Sequence, residues 1–223
     1  MQLSSEMLSG KTTDHLFAEG EFAGLLQAQV VEPFCRLRAA AKQAGFALAI
    51  ASAYRSFDRQ LTIWNAKATG KRPIRNESGA VLDIANLTEL ELTHAILRWS
   101  ALPGASRHHW GTDMDVYDAS RLPPDVGPQL LASEYAAGGP FAELDHWMQN
   151  NLSEFGFSRP YSRDTGGIAP EAWHISYQPI ARHFEEQINP GCLNAALSDV
   201  ELELGATVRG HLDEIFERYI QIT

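Results

Sequence analysis

Residues 106–118 constrain this chain more than any other stretch. They read Ser106-Arg107-His108-His109-Trp110-Gly111-Thr112-Asp113-Met114-Asp115-Val116-Tyr117-Asp118, with two histidines and three aspartates inside the eleven positions from His108 on. Met114 and Val116 alternate with Asp113, Asp115 and Tyr117, which is the period of a β-strand with one apolar and one acidic face. A regular strand would point His108 and Asp115 to opposite faces, because they lie seven residues apart. Gly111 predicts a turn or bulge between them that brings both to one side. Imidazole nitrogen together with carboxylate oxygen is a donor set that suits zinc.

A second cluster, Glu171-Ala172-Trp173-His174, stands before an extended stretch that ends at Tyr177. His108, Asp115 and His174 make three protein ligands, which leaves the fourth position of a catalytic zinc open for water. Glu171 is then placed to take a proton from that water, whose pKa zinc lowers to about 7. Negative charge that builds on a carbonyl oxygen needs a fixed cation as well as the metal. Arg55, at the end of an apolar run over 46–53, is the candidate. The plainer alternative is that histidine-rich loops only form hydrogen bonds and that aspartates beside a glycine only cap turns. His15, His94, His146, His183 and His211 lack comparable neighbours in sequence and are read as surface or core histidines.

The chain has 223 residues, enough for one domain, with 44% hydrophobic and 21% charged residues. The net charge of −10 argues against a nucleic-acid binder and against a polybasic membrane anchor. Cys35 and Cys192 are far apart and unpaired in any C-x-x-C pattern, so a disulfide framework is not expected. The first ten residues lack the positive and apolar regions of a secretory signal, and no run reaches 18 apolar residues. A soluble, cytoplasmic protein is therefore the expectation from sequence.

Helical patches are expected around 18–31. Helices are expected over 32–44 with Pro33 in the first turn, over 58–69, over 87–99 with Thr88 as cap, and over 141–155. Strands are expected over 46–53, after Gly111, and over 173–177. Residues 119–140 read as a loop-rich insertion. The segment 198–220 reads as one or two helices whose stripe Val208, Leu212, Ile215, Phe216 and Tyr219 faces a core. Long helices between short strands, without βαβ regularity, point to an α+β domain with a small central antiparallel sheet flanked by helices.

Three ordered motifs carry a resemblance. They are Tyr54-Arg55-Ser56 with Gln60, then Ser106-x-His108-x-x-Gly111 with Asp115, then Glu171-x-Trp173-His174. Together they resemble the VanY-type D-alanyl-D-alanine carboxypeptidases of the LAS group of zinc metallopeptidases. The motifs span 54–177. The resemblance does not cover the first 30 residues or the last 40, and 195–223 is expected to be a helical extension of a single peptidase domain. The resemblance implies a hedgehog/D,D-peptidase-like sheet flanked by helices. It implies Zn2+ held by His108, Asp115 and His174, Glu171 as general base and acid, and Arg55 as oxyanion stabiliser. Ser106 and Gln60 are implied as substrate contacts, and Trp173 as packing that orients His174. The implied substrate is a peptide from peptidoglycan, and the family acts in the cell envelope or periplasm. Asp113 departs from the pattern, because many relatives carry alanine there.

Rival chemistries leave no trace. None of the four lysines has a serine three residues before it, as S-x-x-K peptidases require, and H-E-x-x-H is absent. An endopeptidase acting inside the stem peptide, of the endolysin kind, is the alternative within enzymes. A non-catalytic zinc-containing peptide-binding module is the alternative outside them, and it would have no use for Glu171 and Arg55 beside the metal.

Overall fold

A computed structural model of the chain describes residues 3–17, 24–76 and 79–221. Ten helices occur among these residues: α1 Ser5–Ser9, α2 Ala28–Gln43, α3 Phe57–Ala68, α4 Glu89–Leu97, α5 Ala132–Tyr135, α6 Ala142–Asn151, α7 Gln178–Glu185, α8 Pro190–Leu197, α9 Gly205–Gly210 and α10 Leu212–Tyr219. Four strands, β1 Leu48–Ser52, β2 Asp113–Asp118, β3 Phe157–Ser158 and β4 His174–Tyr177, form one antiparallel sheet in the order β1-β2-β4-β3. This is the α+β architecture expected from the pattern of short strands and longer helices.

The register of the sheet builds the site. Asp113 pairs with Ser176 and Asp115 pairs with His174, so these four side chains share one face. Met114, Val116 and Ile175 point the other way, into a core with Val30, Phe34 and Leu37 of α2 and Leu144 and Met148 of α6. Met114, Val116 and Ile175 are fully buried, and each such side chain contributes about 1.5–3 kcal/mol of hydrophobic stabilisation. The alternation seen in the sequence is therefore a sheet with an apolar back and a polar front.

Thr88 caps α4 as expected and closes a capping box with Glu91, and Ser56 caps α3 through the Arg59 amide, a cap the sequence reading did not name. The stripe of the last helices is core. Val208, Leu212, Ile215 and Tyr219 are buried in one cluster with Phe57, Trp64 and Ile96, and Phe216 packs against it. Two readings change. α1, closed by a Ser4 cap and Gly10, lies where the sequence reading expected no helix. α2 begins at Ala28, so Pro33 sits inside the helix instead of in its first turn. The carbonyl that Pro33 leaves without a partner belongs to exposed Gln29, where water can satisfy it. The early start has a tertiary cause, since the Gln27 amide donates to the Gly111 carbonyl at 2.9 Å and its side chain to the Trp110 carbonyl at 3.2 Å. Of the helical patches expected around 18–31, positions 18–23 lie outside the described residues, 24–27 are not helical, and 28–31 open α2.

Candidate metal centre and cleft

His108 does not lie on a strand. It sits in a 3-10 turn, Arg107–Trp110, and Gly111 reverses the chain with φ +68° before β2 begins. A Cβ at Gly111 would lie 2.3 Å from Leu16 Cδ2 and 3.2 Å from the Gln27 nitrogen, so the position needs glycine on two counts. This turn resolves the seven-residue mismatch between His108 and Asp115. His108 Nε2 lies 3.3 Å from Asp115 Oδ2, and the ring centroids of His108 and His174 are 4.9 Å apart.

The donor atoms of His108, Asp115 and His174 all lie within 4.8 Å of one another, and all three residues are buried. Their outward atoms are already committed. His108 Nδ1 donates to the Ala53 carbonyl at 2.8 Å, and His174 Nε2 donates to Asp113 Oδ1 at 3.0 Å. These bonds leave His108 Nε2 and His174 Nδ1 to face Asp115. Asp115 Oδ1 is 3.3 Å from His174 Nδ1 without hydrogen-bond geometry, so it is a buried carboxylate oxygen with no hydrogen-bond partner. A buried orphan of this kind is costly unless a cation takes it up. Burial would raise the Asp115 pKa, but His108 and His174 hold it well below the ordinary carboxylate range. Burial would likewise lower the His174 pKa, and the surrounding carboxylates of Asp113, Asp115 and Glu171 drive it well above normal. Two nitrogens and a carboxylate, with an open side towards a cleft, fit zinc.

Behind His174 lies a network that sequence reading did not resolve. Asp113 is fully buried and accepts hydrogen bonds from Arg107 Nε at 2.7 Å, Thr112 Oγ1 at 2.6 Å and Ser176 Oγ at 3.1 Å, besides His174. Arg107 also reaches Glu185 at 2.6 Å and Ser176 at 2.8 Å, and stacks on Trp110. Burial would raise the Asp113 pKa, yet Arg107 and His174 keep it ionised and well below normal. Asp113 thus fixes the ring and tautomer of a candidate ligand.

The other expected residues take distinct places. Glu171 Oε2 is 3.4 Å from His174 Nδ1, and its amide donates to the Tyr161 carbonyl at 2.9 Å. Arg55 follows β1, its amide donating to the His108 carbonyl at 3.0 Å and its guanidinium to Gln60 Oε1 and Ser52 Oγ. A cleft of about 580 Å³ is lined by Arg55, Ser106, His108, Asp115, Glu171 and His174, among others. Gln60 does not line it. Gln60 is fully buried, and its amide is spent on Arg55 and on the Ala101 carbonyl at 2.7 Å. His109 faces away, donating through Nδ1 to the Arg55 carbonyl and accepting from the Gly104 amide through Nε2. Trp173 packs with Tyr135 of the 119–140 insertion and with Phe141 just after it, and Leu131, Ala132 and Ser133 of the insertion form part of the cleft wall. Tyr161, a wall residue whose ring stands edge-on to His174 at 5.0 Å, carried no sequence signal.

Fold and site together define a D,D-peptidase-like domain with a candidate three-ligand metal centre on the polar face of its sheet. The family model for D-alanyl-D-alanine carboxypeptidase, VanY, matches residues 24–180. The chain belongs to this family. An uncharacterised protein of Haemophilus influenzae is 36% identical over 121 residues, covering 53% of this chain and 92% of that one. The solved structure of VanYB in complex with D-alanine-D-alanine has a TM-score of 0.52 at 19% identity, covering 83% of this chain and 89% of that one. A point mutant of the vancomycin-resistance D,D-pentapeptidase VanY in complex with Zn(II) has a TM-score of 0.51 at 22% identity, covering 83% and 92%. Among the described residues no helix is long and apolar enough to cross a membrane.

Proposed function

We propose that this chain is a zinc-dependent D,D-carboxypeptidase that hydrolyses the terminal D-Ala-D-Ala bond of peptidoglycan stem peptides or their precursors. The observation that carries this reading is the buried Asp115 carboxylate between two imidazole nitrogens, its Oδ1 without a hydrogen-bond partner, with the Glu171 carboxylate beside them. Family membership supports the substrate class, and the Zn(II) and D-Ala-D-Ala complexes of the related structures support metal and ligand.

His108, Asp115 and His174 would hold the zinc. When bound, the ion supplies Lewis acidity and acidifies a coordinated water. Glu171 takes the proton from the water as its oxygen attacks the peptide carbonyl carbon. The same carboxylate then gives that proton to the departing amine as the C–N bond breaks. Arg55 faces the cleft and stabilises the charge that develops on the carbonyl oxygen. Gln60 and Ser52 fix the Arg55 guanidinium, so Gln60 acts by positioning Arg55 and not by touching the substrate. Ser106 remains a wall residue within reach of the substrate.

The test is release of free D-alanine from a pentapeptide ending in D-Ala-D-Ala, with chelator and with zinc restored. Chelator-sensitive release that zinc restores is the expected result. Glu171→Gln is expected to keep one zinc per chain while kcat falls about 10²–10⁴-fold, the range for a lost general acid–base. Zinc-loaded protein that releases no D-alanine but cleaves intact peptidoglycan would instead identify an endopeptidase.

A further inference from the structure

Lys67 is a buried cation that the hydrolytic site just described does not use. It lies on α3, its side of the helix faces the cleft, and only 9% of the residue is exposed. Its one hydrogen bond is to Ser100 Oγ, at 2.7 Å, and no carboxylate pairs with it among the described residues. Buried ammonium groups are normally paired, because an uncompensated charge in a low-dielectric site is expensive. The wall around it is cationic as well. Arg55, Arg72 and Arg75 line the same cleft, in a chain whose net charge is −10. Against them stand Asp115 and Glu171, which face the candidate metal. The cleft therefore has two poles: an acidic one, which would hold the cation and carries the proton-transfer carboxylate, and a basic one that no anion among the described residues faces.

Resting on the peptidase reading, we infer that Lys67, oriented by Ser100 and supported by Arg72, binds the free carboxylate of the residue that leaves on hydrolysis. The basic pole thus makes the site an exopeptidase, because a peptide whose chain continues past the scissile bond presents a neutral amide there. Burial pushes the Lys67 ammonium down to about 8, with Arg72 adding to the effect and Glu171 opposing it. It is still mainly charged at neutral pH. A carboxylate brought into contact both pairs the ammonium and removes the penalty of its isolation. Lys67 is a specificity residue and takes no part in bond making or breaking.

The experiment measures binding of one peptide, L-Lys-D-Ala-D-Ala with its amines acetylated, as the free acid and as the C-terminal amide. Calorimetry is done on zinc-loaded protein carrying Glu171→Gln, with and without Lys67→Met. The acid is expected to bind about 30-fold or more tighter than the amide, and Lys67→Met is expected to abolish that preference. Lys67→Arg should keep part of it. The melting temperature of Lys67→Met should equal or exceed that of the parent, because methionine removes an isolated charge at similar volume. A purely structural Lys67 would give a lower one. Equal binding of acid and amide by the Lys67 protein overturns the inference, as does a preference that survives Lys67→Met, or absence of binding by either peptide. Hydrolysis by the unsubstituted enzyme reports on the peptidase reading separately: equal cleavage of acid and amide removes the anchor and leaves the peptidase. An acid preference in binding without turnover removes the peptidase and leaves the anchor.

Discussion

Asp113→Ala removes a carboxylate that accepts from four groups, and the consequences at two of them, Arg107 and His174, separate in a double variant. The first partner is Arg107, with which Asp113 forms a fully buried ion pair at 2.7 Å. Removing one member of such a pair costs about 3–5 kcal/mol, because the survivor is left uncompensated. Arg107 retains Glu185 and Ser176, which places the expected loss near the lower bound, about 3 kcal/mol. The second partner is His174 Nε2, at 3.0 Å. Loss of the acceptor behind a metal-binding imidazole typically lowers metal affinity about 10–100-fold. That is about 1.4–2.7 kcal/mol at 25 °C. Stability is read by urea unfolding of the metal-free protein, and affinity by zinc competition against a chromophoric chelator. Adding Arg107→Met to Asp113→Ala removes the stranded guanidinium and releases Glu185 to solvent. Stability is expected to recover by more than half, while zinc affinity stays low, since His174 still lacks its acceptor. Unchanged zinc affinity in Asp113→Ala, or affinity that recovers together with stability in the double variant, would refute the assignment of Asp113 as the residue that orients His174.

Two further expectations concern the frame of the site. Gly111→Ala is expected to cost about 1–3 kcal/mol of stability, from the left-handed backbone and the contact with Leu16, and to weaken zinc binding in the same titration. Wild-type values of both would show that the turn is not what sets His108 against Asp115. His109 is held neutral, its pKa pushed down to about 3 mainly by burial, whereas the unfolded chain protonates it near 6.5. Between these values the unfolded state binds the extra proton, so the His109 contribution to stability is complete above pH 6.5 and falls as the pH drops. The expected slope is at most about 1.4 kcal/mol per pH unit. Metal-free His109→Gln, which cannot titrate, should show a shallower decline between pH 6.5 and 4, and equal slopes would sink this account.

The sheet and the donor residues were legible because their signals are local. Alternation of Met114 and Val116 with Asp113 and Asp115 follows from the two-residue period of a strand, whatever the strand pairs with. Thr88 starts α4 through a bond to the amide three residues on. His108, Asp115, Glu171 and His174 stood out because few residue types serve metal and proton chemistry and these fall in short, ordered groups. Gly111 marks the needed break in register within the sequence itself.

Pairings between distant segments decided the rest. Nothing in the order of residues says that Arg107 and Asp113 would be buried together against His174, or that Gln60 would turn both ends of its amide inward to Arg55 and Ala101. α2 starts early because Gln27 docks on the Gly111 turn, a contact across 84 residues of chain. Lys67 reads in sequence as an ordinary residue near a helix end. Only the packing of α3 against Ser100 shows that its charge lies buried in the cleft with no anion beside it among the described residues. Local propensity and side-chain chemistry are written in the sequence, so it determined the strand, the caps and the kinds of donor. Desolvation and partnership depend on which surfaces meet, so the tertiary structure alone decided which nitrogen of each histidine is free and which charges stand unpaired.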